Sequence, residues 1–203
     1  PVPNARLIAP MTHVTLRASV KSPSCFSLSF RAVVNVINTK GDRAKIATAT
    51  GHAFLPRRHI QLLADVKKKP SAENELVDID WVGFAERLIN APYKWGGRTA
   101  WGLDCSALVQ LSLAAAGLDV PRDSGPQHEI GAHLVIESRL SKSNLRRGDL
   151  VFWQGHVGIM QDHHRLLHAN AYHMAVVSEP LEDAVTRISP IAGPITALRR
   201  PLF

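Results

Sequence analysis

A polar segment at residues 67–75, which contains the run Lys-Lys-Lys-Pro-Ser, divides the sequence into two halves with different hydrophobic patterns. Before it, residues 11–65 alternate short β-prone runs with turn signals, a spacing typical of a small barrel. After it, the pattern predicts helices over residues 79–89 and 106–116, followed by strands between residues 149 and 199. Helices that precede antiparallel strands indicate an α+β domain. We therefore expect a small all-β barrel over residues 1–70 and an α+β domain over residues 76–203.

The charge balance and the cysteine count exclude several classes of protein. Lys and Arg exceed Asp and Glu by 24 − 17 = 7, which favours anionic partners, but no nucleic-acid recognition motif accompanies the charge, so no nucleic-acid role is predicted. No apolar stretch approaches the roughly 18 residues of a membrane-spanning helix. Only Cys25 and Cys105 occur, 105 − 25 = 80 residues apart, which argues against a disulfide framework.

Cys105 stands where a glycine-containing loop, residues 102–104, enters the second predicted helix. The positive end of a helix dipole and its unpaired N–H groups stabilise a thiolate, and can lower a cysteine pKa from about 8.5 into the range of roughly 3.5–7.5. Cys105 is therefore a candidate nucleophile. The alternative is a buried and unreactive cysteine.

Two histidines lie on neighbouring predicted strands. His156 begins the strand over residues 156–161, and His168 lies at the end of the next strand, so a turn between them would bring the two side chains together. A nucleophile, a base and a group that orients the base are the parts of a catalytic triad. We expect His156 to be the base and His168 to orient it, with Asn170 as the rival orienting residue.

The ten histidines require a test of metal binding. His128-Glu129 and His133 miss the zincin spacing by one residue, and a gap of five turns the second histidine about 140° away from the first on a helix. No metal and no other cofactor is predicted.

Six short stretches of the second half stand out: residues 93–97 (YKWGG), 102–106 (GLDCS), 120–124 (VPRDS) with Gln127, 147–152 (RGDLVF), 156–159 (HVGI) and 168–169 (HA). In this order they resemble the motifs of the NlpC family of papain-like cysteine peptidases, which cut bacterial cell-wall peptides. The first half resembles, more weakly, the bacterial SH3-like barrels that precede this domain in γ-D-glutamyl-diamino acid endopeptidases. The resemblance implies a papain-like catalytic domain preceded by an SH3-like barrel.

The resemblance also implies a set of substrate-binding residues: Asp104, Ser124, Tyr93, Trp95 and Arg122. In the family, an Asp and a Ser at the positions of Asp104 and Ser124 hold the free α-amine of an N-terminal L-alanine. The alternative is that Asp104 caps the catalytic helix and Ser124 shapes a turn.

Two departures from the family pattern concern the site. Ala107 replaces the glycine that usually stands two residues after the nucleophile. The barrel of free-amine-requiring members contributes a tyrosine to the substrate amine, whereas the two tyrosines here are Tyr93 and Tyr172, both in the second half. Part of that amine site is therefore expected to be missing or rebuilt.

The expected activity is hydrolysis of the γ-D-glutamyl-diamino acid bond in peptidoglycan stem peptides, on released peptides with a free N-terminal L-alanine. A wall-binding module, or an acyltransferase or amidase with the same Cys–His site, is the alternative. The sequence begins Pro-Val-Pro, without an initiator Met or an apolar signal core. A cytoplasmic location is expected for a recycling enzyme, while an apparently trimmed N-terminus leaves a secreted or periplasmic one open, and the oligomeric state is left open.

Overall fold

The computed structural model describes residues 2–66, 80–136 and 144–202. The chain separates into two compact units, Pro1–Leu76 and Val77–Phe203. The domain boundary predicted at residues 67–75 lies outside the described residues. Every helix in the described ranges is too short or too polar to cross a lipid bilayer.

The N-terminal unit is built almost entirely of strands. Its elements are β1 (Ala5–Leu7), β2 (Met11–Thr15), β3 (Ser24–Ser29), β4 (Val33–Val34), β5 (Val36–Lys40), β6 (Arg43–Thr48), β7 (Gly51–Pro56), a 3₁₀ turn (Arg57–His59), β8 (Ile60–Leu62) and the single helical turn α1 (Leu63–Val66). The strands form an antiparallel sheet of order β3-β2-β7-β6-β5 and a smaller one of order β4-β1-β8.

Alternation of apolar and polar residues explains the core of this unit. Ala44 and Ile46 on β6 and Ala53 and Leu55 on β7 are buried, as the period of two along a strand requires. They pack with Val14 and neighbouring apolar side chains in one cluster. The β-rich character predicted for residues 11–65 is confirmed, whereas the SH3-like assignment of the unit stays a prediction.

The C-terminal unit contains helices and strands in nearly the predicted order. Its elements are α2 (Trp81–Glu86), β9 (Arg98–Thr99), β10 (Gly102–Leu103), α3 (Cys105–Ala115), α4 (Ser124–Gln127), β11 (Ala132–Leu134), β12 (Leu150–Trp153), β13 (His156–Met160), β14 (Arg165–Asn170), β15 (Ala175–Pro180), α5 (Leu181–Ala192) and β16 (Ala197–Arg200). The main sheet has the order β11-β16-β12-β13-β14-β15, and its strand pairs are antiparallel. Since α3 packs against β13 and β14, the predicted α+β class is confirmed.

One predicted helix is shorter than expected, and one helix was missed. The helix predicted over residues 79–89 is shorter, because Asp80 caps its start and the chain leaves the helix after Glu86, with Asn90 at a positive φ of 69°. Helix α5 was not predicted. It buries Leu181 and Ala184 against the sheet, in a cluster that also includes Val151 and Leu198.

One arginine ties the start of this unit to its sheet. Arg147, in the turn before β12, donates to both carboxylate oxygens of Asp80 and to those of Glu86, at 2.7–3.0 Å for the shortest contacts. It also donates to the carbonyl of Gln161, which follows β13. The Arg147 clamp therefore fixes helix α2 to the hairpin that begins with His156.

Candidate active site

The carboxylate of Asp104 organises the start of helix α3. It accepts a hydrogen bond from the backbone N–H of Ala107 at 2.9 Å, which makes Asp104 the N-cap of the helix. It also accepts from the backbone N–H of Gly96 at 2.8 Å and from the Ser106 hydroxyl at 3.2 Å. The loop over residues 93–97 and the first turn of α3 are therefore fixed to each other through one side chain.

Arg122 completes the contacts of Asp104 with a bidentate ion pair, at 2.9 Å to Oδ1 and 2.6 Å to Oδ2. Burial raises the pKa of Asp104, but the bonds from Arg122, Ala107 and Gly96 outweigh it and hold the pKa below its usual value. The carboxylate is ionised and already neutralised by the protein. The structure thus gives Asp104 the helix-capping role that the sequence left open, and gives Arg122 an internal partner.

Cys105 is the first residue of α3 and is 8% exposed. The backbone N–H groups of Val157, Ser106 and Cys105 itself act on its thiol and favour the charged form. Because Val157 directly follows His156, the sulfur lies beside the strand that carries the proposed base. The sequence prediction that joined these two segments agrees with the packing of α3 on β13.

The prediction of a lowered thiol pKa is wrong for this structure. Burial raises the pKa of the Cys105 thiol, and the negative charge of Asp104 adds to the increase, whereas the three backbone N–H groups only oppose it. The helix terminus contributes in the expected direction, but desolvation is larger. The other cysteine, Cys25, is exposed on β3.

His156 and His168 are in direct contact. Nε2 of His156 lies 2.8 Å from Nδ1 of His168, on adjacent antiparallel strands β13 and β14. His168 is fully buried, while His156 is partly exposed. The predicted pairing of these two histidines is therefore present.

The sequence analysis missed a carboxylate behind His168. Oε1 of Glu179, on β15, lies 2.6 Å from Nε2 of His168, and the same oxygen accepts a hydrogen bond from Arg187 on α5. Burial raises the pKa of Glu179, but the hydrogen bonds from His168 and Arg187 hold it at about 2. Glu179 is therefore ionised near neutral pH and can only accept hydrogen bonds.

The ionised carboxylate determines where the ring protons lie. Because Glu179 accepts from Nε2 of His168, that nitrogen carries the proton and Nδ1 of a neutral His168 is an acceptor. Nε2 of His156 must then donate to His168, so Nδ1 of His156 has no proton. This chain of hydrogen bonds leaves Nδ1 of His156 able to accept a proton from a thiol.

The two histidines are neutral near physiological pH. Burial lowers the pKa of His156 most, and the nearby His168 and Arg187 lower it further, against an opposing effect of Glu179. Burial also lowers the pKa of His168, although Glu179 acts in the opposite direction. With the raised pKa of Cys105, these directions indicate a neutral thiol and a neutral imidazole in the resting site.

Asn170, the rival orienting residue, contacts the other end of His168. Its Nδ2 lies 3.0 Å from Nε2 of His168, on the side away from His156, and its Oδ1 accepts from the backbone N–H of His173. The shorter contact to the charged Glu179 determines the proton at that nitrogen. The hydrogen bond of His156 is made with His168 and not with Asn170, so His168 is the residue in position to orient the base.

The remaining predicted site residues lie in the same unit with different exposure. Tyr93 is half-buried, its backbone lies beside Leu103, two residues before Cys105, and burial is the largest cause of its raised pKa. Trp95 is 85% exposed, and Ser124 is the first residue of α4.

Gln127, which belongs to the same motif as Ser124, is buried. Its side-chain amide donates to the carbonyl of Ser106 at 3.0 Å and to that of Pro121 at 2.8 Å, which holds the loop against α3.

The histidines considered for metal binding are on separate elements. His128 ends the short helix α4 and packs against the ring of Phe152, whereas His133 lies on β11. Within the described residues, no group of three or more potential metal ligands occurs.

A cysteine at a helix start, beside a histidine pair on an antiparallel sheet, is the arrangement of a papain-like cysteine peptidase. Comparison with known proteins agrees: residues 90–188 match the model of the NlpC/P60 family. The C-terminal unit of this chain belongs to the NlpC/P60 family of peptidases.

Relatives and solved structures share this family. A probable endopeptidase NlpC homolog of Haemophilus influenzae is 32% identical over 126 residues, which cover 61% of this chain and 58% of the relative. A γ-D-glutamyl-L-lysine dipeptidyl-peptidase of Bacillus cereus is 28% identical over 115 residues, or 57% of this chain and 32% of the relative. The matches therefore span from about a third to three fifths of the length of these relatives.

A crystal structure of an NlpC/P60 family protein from Bacillus cereus has a similar fold. It aligns with a TM-score of 0.70 and 21% identity, over 99% of this chain and 64% of the other.

Proposed function

We propose that this protein is a cysteine endopeptidase that hydrolyses the γ-D-glutamyl-diamino acid bond of peptidoglycan stem peptides. The observation that carries the proposal is the hydrogen-bonded series from His156 through His168 to Glu179, beside the sulfur of Cys105. A wall-binding module has no use for a base whose free nitrogen is specified in this way. The proposed catalytic residues are Cys105, His156 and His168.

The reaction begins with a neutral thiol and proceeds by proton transfer during attack. Nδ1 of His156 accepts the thiol proton as the sulfur of Cys105 forms a bond to the carbonyl carbon of the γ-amide. Backbone N–H groups at the start of α3 stabilise the oxyanion, and the loss of one such donor typically costs about 10²–10³ in rate. The imidazolium then gives its proton to the leaving amine.

The second half of the reaction returns the site to its starting state. Nδ1 of His156 takes a proton from water, whose oxygen attacks the thioester carbon, and the carbon–sulfur bond breaks. The D-glutamyl γ-carboxylate leaves, and the sulfur of Cys105 recovers its proton from His156. An acyltransferase would replace water with an amine at this step, so the mass of the product distinguishes the two reactions.

We propose that the substrates are released peptides with a free N-terminal L-alanine, which is a recycling role. The name of the Bacillus cereus relative supports this, because a dipeptidyl-peptidase removes two residues from an N-terminus. The residues give less support, since the carboxylate of Asp104 is already neutralised by Arg122. A cytoplasmic location would suit this role.

Cleavage of defined peptides tests the proposal. L-alanyl-γ-D-glutamyl-diamino acid peptides are supplied with a free or an acetylated N-terminus, and products are identified by mass. We expect cleavage after D-glutamate, with the free peptide cut at least about tenfold better, a ratio worth about 1.4 kcal/mol. Cys105→Ala should abolish cleavage, and Cys25→Ala is the matched control that should leave it unchanged.

The outcomes separate the parts of the proposal. Equal cleavage of the two peptides, or efficient digestion of intact wall, would contradict the recycling role but not the peptidase. Cleavage at a different bond would contradict the proposed specificity. An active Cys105→Ala protein would contradict the thiol mechanism itself.

A further inference from the structure

A cavity of about 440 Å³ in the N-terminal unit is lined mainly by charged side chains. Its lining consists of Val20, Asp42, Arg43, Pro56, Arg57 and Arg58. A volume of this size lies within the usual range of small-molecule sites, roughly 300–1,000 Å³. The cavity is formed by the turn before β6, the end of β7 and the 3₁₀ turn that follows it.

Local backbone structure brings the three arginines together. Arg43 begins β6 and pairs with Pro56 at the end of β7, so the chain delivers Arg57 and Arg58 next to Arg43. The backbone N–H of Arg57 donates to the carbonyl of Asp42 at 2.8 Å, which closes this corner. The position of the arginines is thus set by the β6–β7 register rather than by a mobile loop.

The arginine at the base of the cavity has an unused donor. Arg43 is only 8% exposed, and one of its guanidinium nitrogens donates to the hydroxyl of Thr15 at 2.6 Å. Its Nε is buried and has no hydrogen-bond partner in the described structure. This donor is enclosed by the protein, so an anion in the cavity interacts with the positive charge of Arg43 and not with the Nε itself.

The described residues leave the positive charge of the cavity unbalanced. Three guanidinium groups and the single carboxylate of Asp42 give a formal charge of 3 − 1 = +2 at the lining. Within the described residues, none of the three arginines forms an ion pair. The pKa of the neighbouring His59 is lowered, first by burial and then by the positive charges of Arg58 and Arg43.

We propose that this cavity binds an oxyanion with two negative charges, held by Arg43 at its base and by Arg57 and Arg58 at its rim. The guanidinium fork matches the geometry of carboxylate and phosphate oxygens and can bind either in a bidentate manner. A phosphate group and a dicarboxylate share this chemistry. The site is separate from the Cys105 chemistry, so it does not depend on the proposed peptidase activity.

Calorimetric titration of the full chain with inorganic phosphate and, separately, with succinate tests this proposal. At low ionic strength and neutral pH, we expect at least one of the two to bind with a Kd of about 1 mM or tighter. Added sodium chloride should weaken binding because it screens the charges. Tighter binding of phosphate indicates a phosphate-bearing ligand, whereas tighter binding of succinate indicates a dicarboxylate.

Variants distinguish a built site from general surface charge. Arg57→Ala and Arg58→Ala should each weaken binding at least about tenfold, and Arg98→Ala, the same charge change at an exposed position of the other unit, should not. Arg43→Lys keeps the charge but loses the planar guanidinium fork, so it should weaken binding too.

Melting temperatures establish that each variant is folded. If Arg43→Lys does not fold, the binding results of Arg57→Ala and Arg58→Ala decide whether the site exists. Absence of binding by both anions, or equal weakening by the Arg98 variant, would overturn the proposal.

Discussion

Glu179→Gln is the substitution that tests the hydrogen-bonded series most directly. One carboxylate oxygen accepts the bonds from both His168 and Arg187, and the amide oxygen of Gln can take the same place but carries no charge. The bond to Nε2 of His168 is then no longer charge-assisted, so the proton is held less firmly on that nitrogen and Nδ1 of His168 is held less firmly as the acceptor for His156. A fraction of the protein then carries the proton of His156 on Nδ1, the nitrogen that must accept from the thiol, and in that fraction the base is blocked.

The size of the effect follows from the charge that is lost. A hydrogen bond to a charged group contributes about 1.5–3 kcal/mol and is roughly twice as strong as a neutral one, so the loss is about 0.8–1.5 kcal/mol, a decrease in kcat/KM of roughly 4- to 13-fold. The assay is hydrolysis of the free L-alanyl-γ-D-glutamyl-diamino acid peptide. Glu182→Gln is the matched control, because Glu182 is exposed in the first turn of α5 and should leave kcat/KM unchanged.

Stability against pH gives a second measurement on the same variant. Because the pKa of Glu179 is held at about 2 rather than its ordinary 4.5, its charged form stabilises the fold above pH 4.5. That contribution is lost as the pH falls from 4.5 towards 2. Urea unfolding should therefore show Glu179→Gln as less stable than the parent at neutral pH, with a difference that narrows in acid. A folded variant with parental kcat/KM would refute the tautomer argument.

Three further substitutions or measurements test the site. The rate at which iodoacetamide labels Cys105, followed by peptide mass analysis, should rise about tenfold per pH unit between neutrality and pH 9, because the pKa of its thiol is raised. The exposed Cys25 is the internal reference. A labelling rate of Cys105 that does not depend on pH would reveal a preformed thiolate. His156→Ala should remove nearly all hydrolysis, whereas His168→Asn or His168→Gln should retain a measurable fraction because the new side chain still holds the ring of His156. Equal losses at the two positions would contradict these roles. EDTA should not change the activity of the parent enzyme, and activity lost with EDTA and restored by zinc would contradict a metal-free mechanism. Arg122→Ala should lower the free energy of unfolding by about 2 kcal/mol in urea titration, since it leaves a buried carboxylate without its cation; an unchanged stability would show that the pair contributes little.

The local patterns of the sequence were sufficient to predict most of the strands and helix α3. Gly117, at a positive φ of 88°, lies just beyond the end of that helix, where a glycine in the left-handed conformation commonly stands. The unpredicted helix α5 also had a signal, since Leu181, Ala184, Val185 and Ile188 follow the spacing i, i+3, i+4, i+7. Its absence from the prediction was an error of interpretation.

Glu179 could not be found in the same way. It reaches His168 because β14 and β15 pair so that His168 lies opposite Val177, which makes Glu179 the diagonal neighbour two residues along. Strand register depends on tertiary packing, so it cannot be inferred from the residues adjacent to His168 or Glu179 in the sequence. Desolvation of the Cys105 thiol has the same origin, because the burial of its sulfur depends on β13, about 50 residues further along the chain.

The Arg147 clamp has a consequence for the order of folding. Helix α2 has only six residues, and a helix of that length is not stable alone in water. Its cap Asp80 is joined to a guanidinium 67 residues away, so the chain must close a long loop before this contact forms. Helix α3 is longer, with eleven residues, and its partner strand β13 begins 156 − 105 = 51 residues after its start, a shorter loop than that of the clamp. During refolding, backbone amides in α3 should therefore gain protection from hydrogen exchange before those in α2, which makes the first helix of the unit one of its last elements to form.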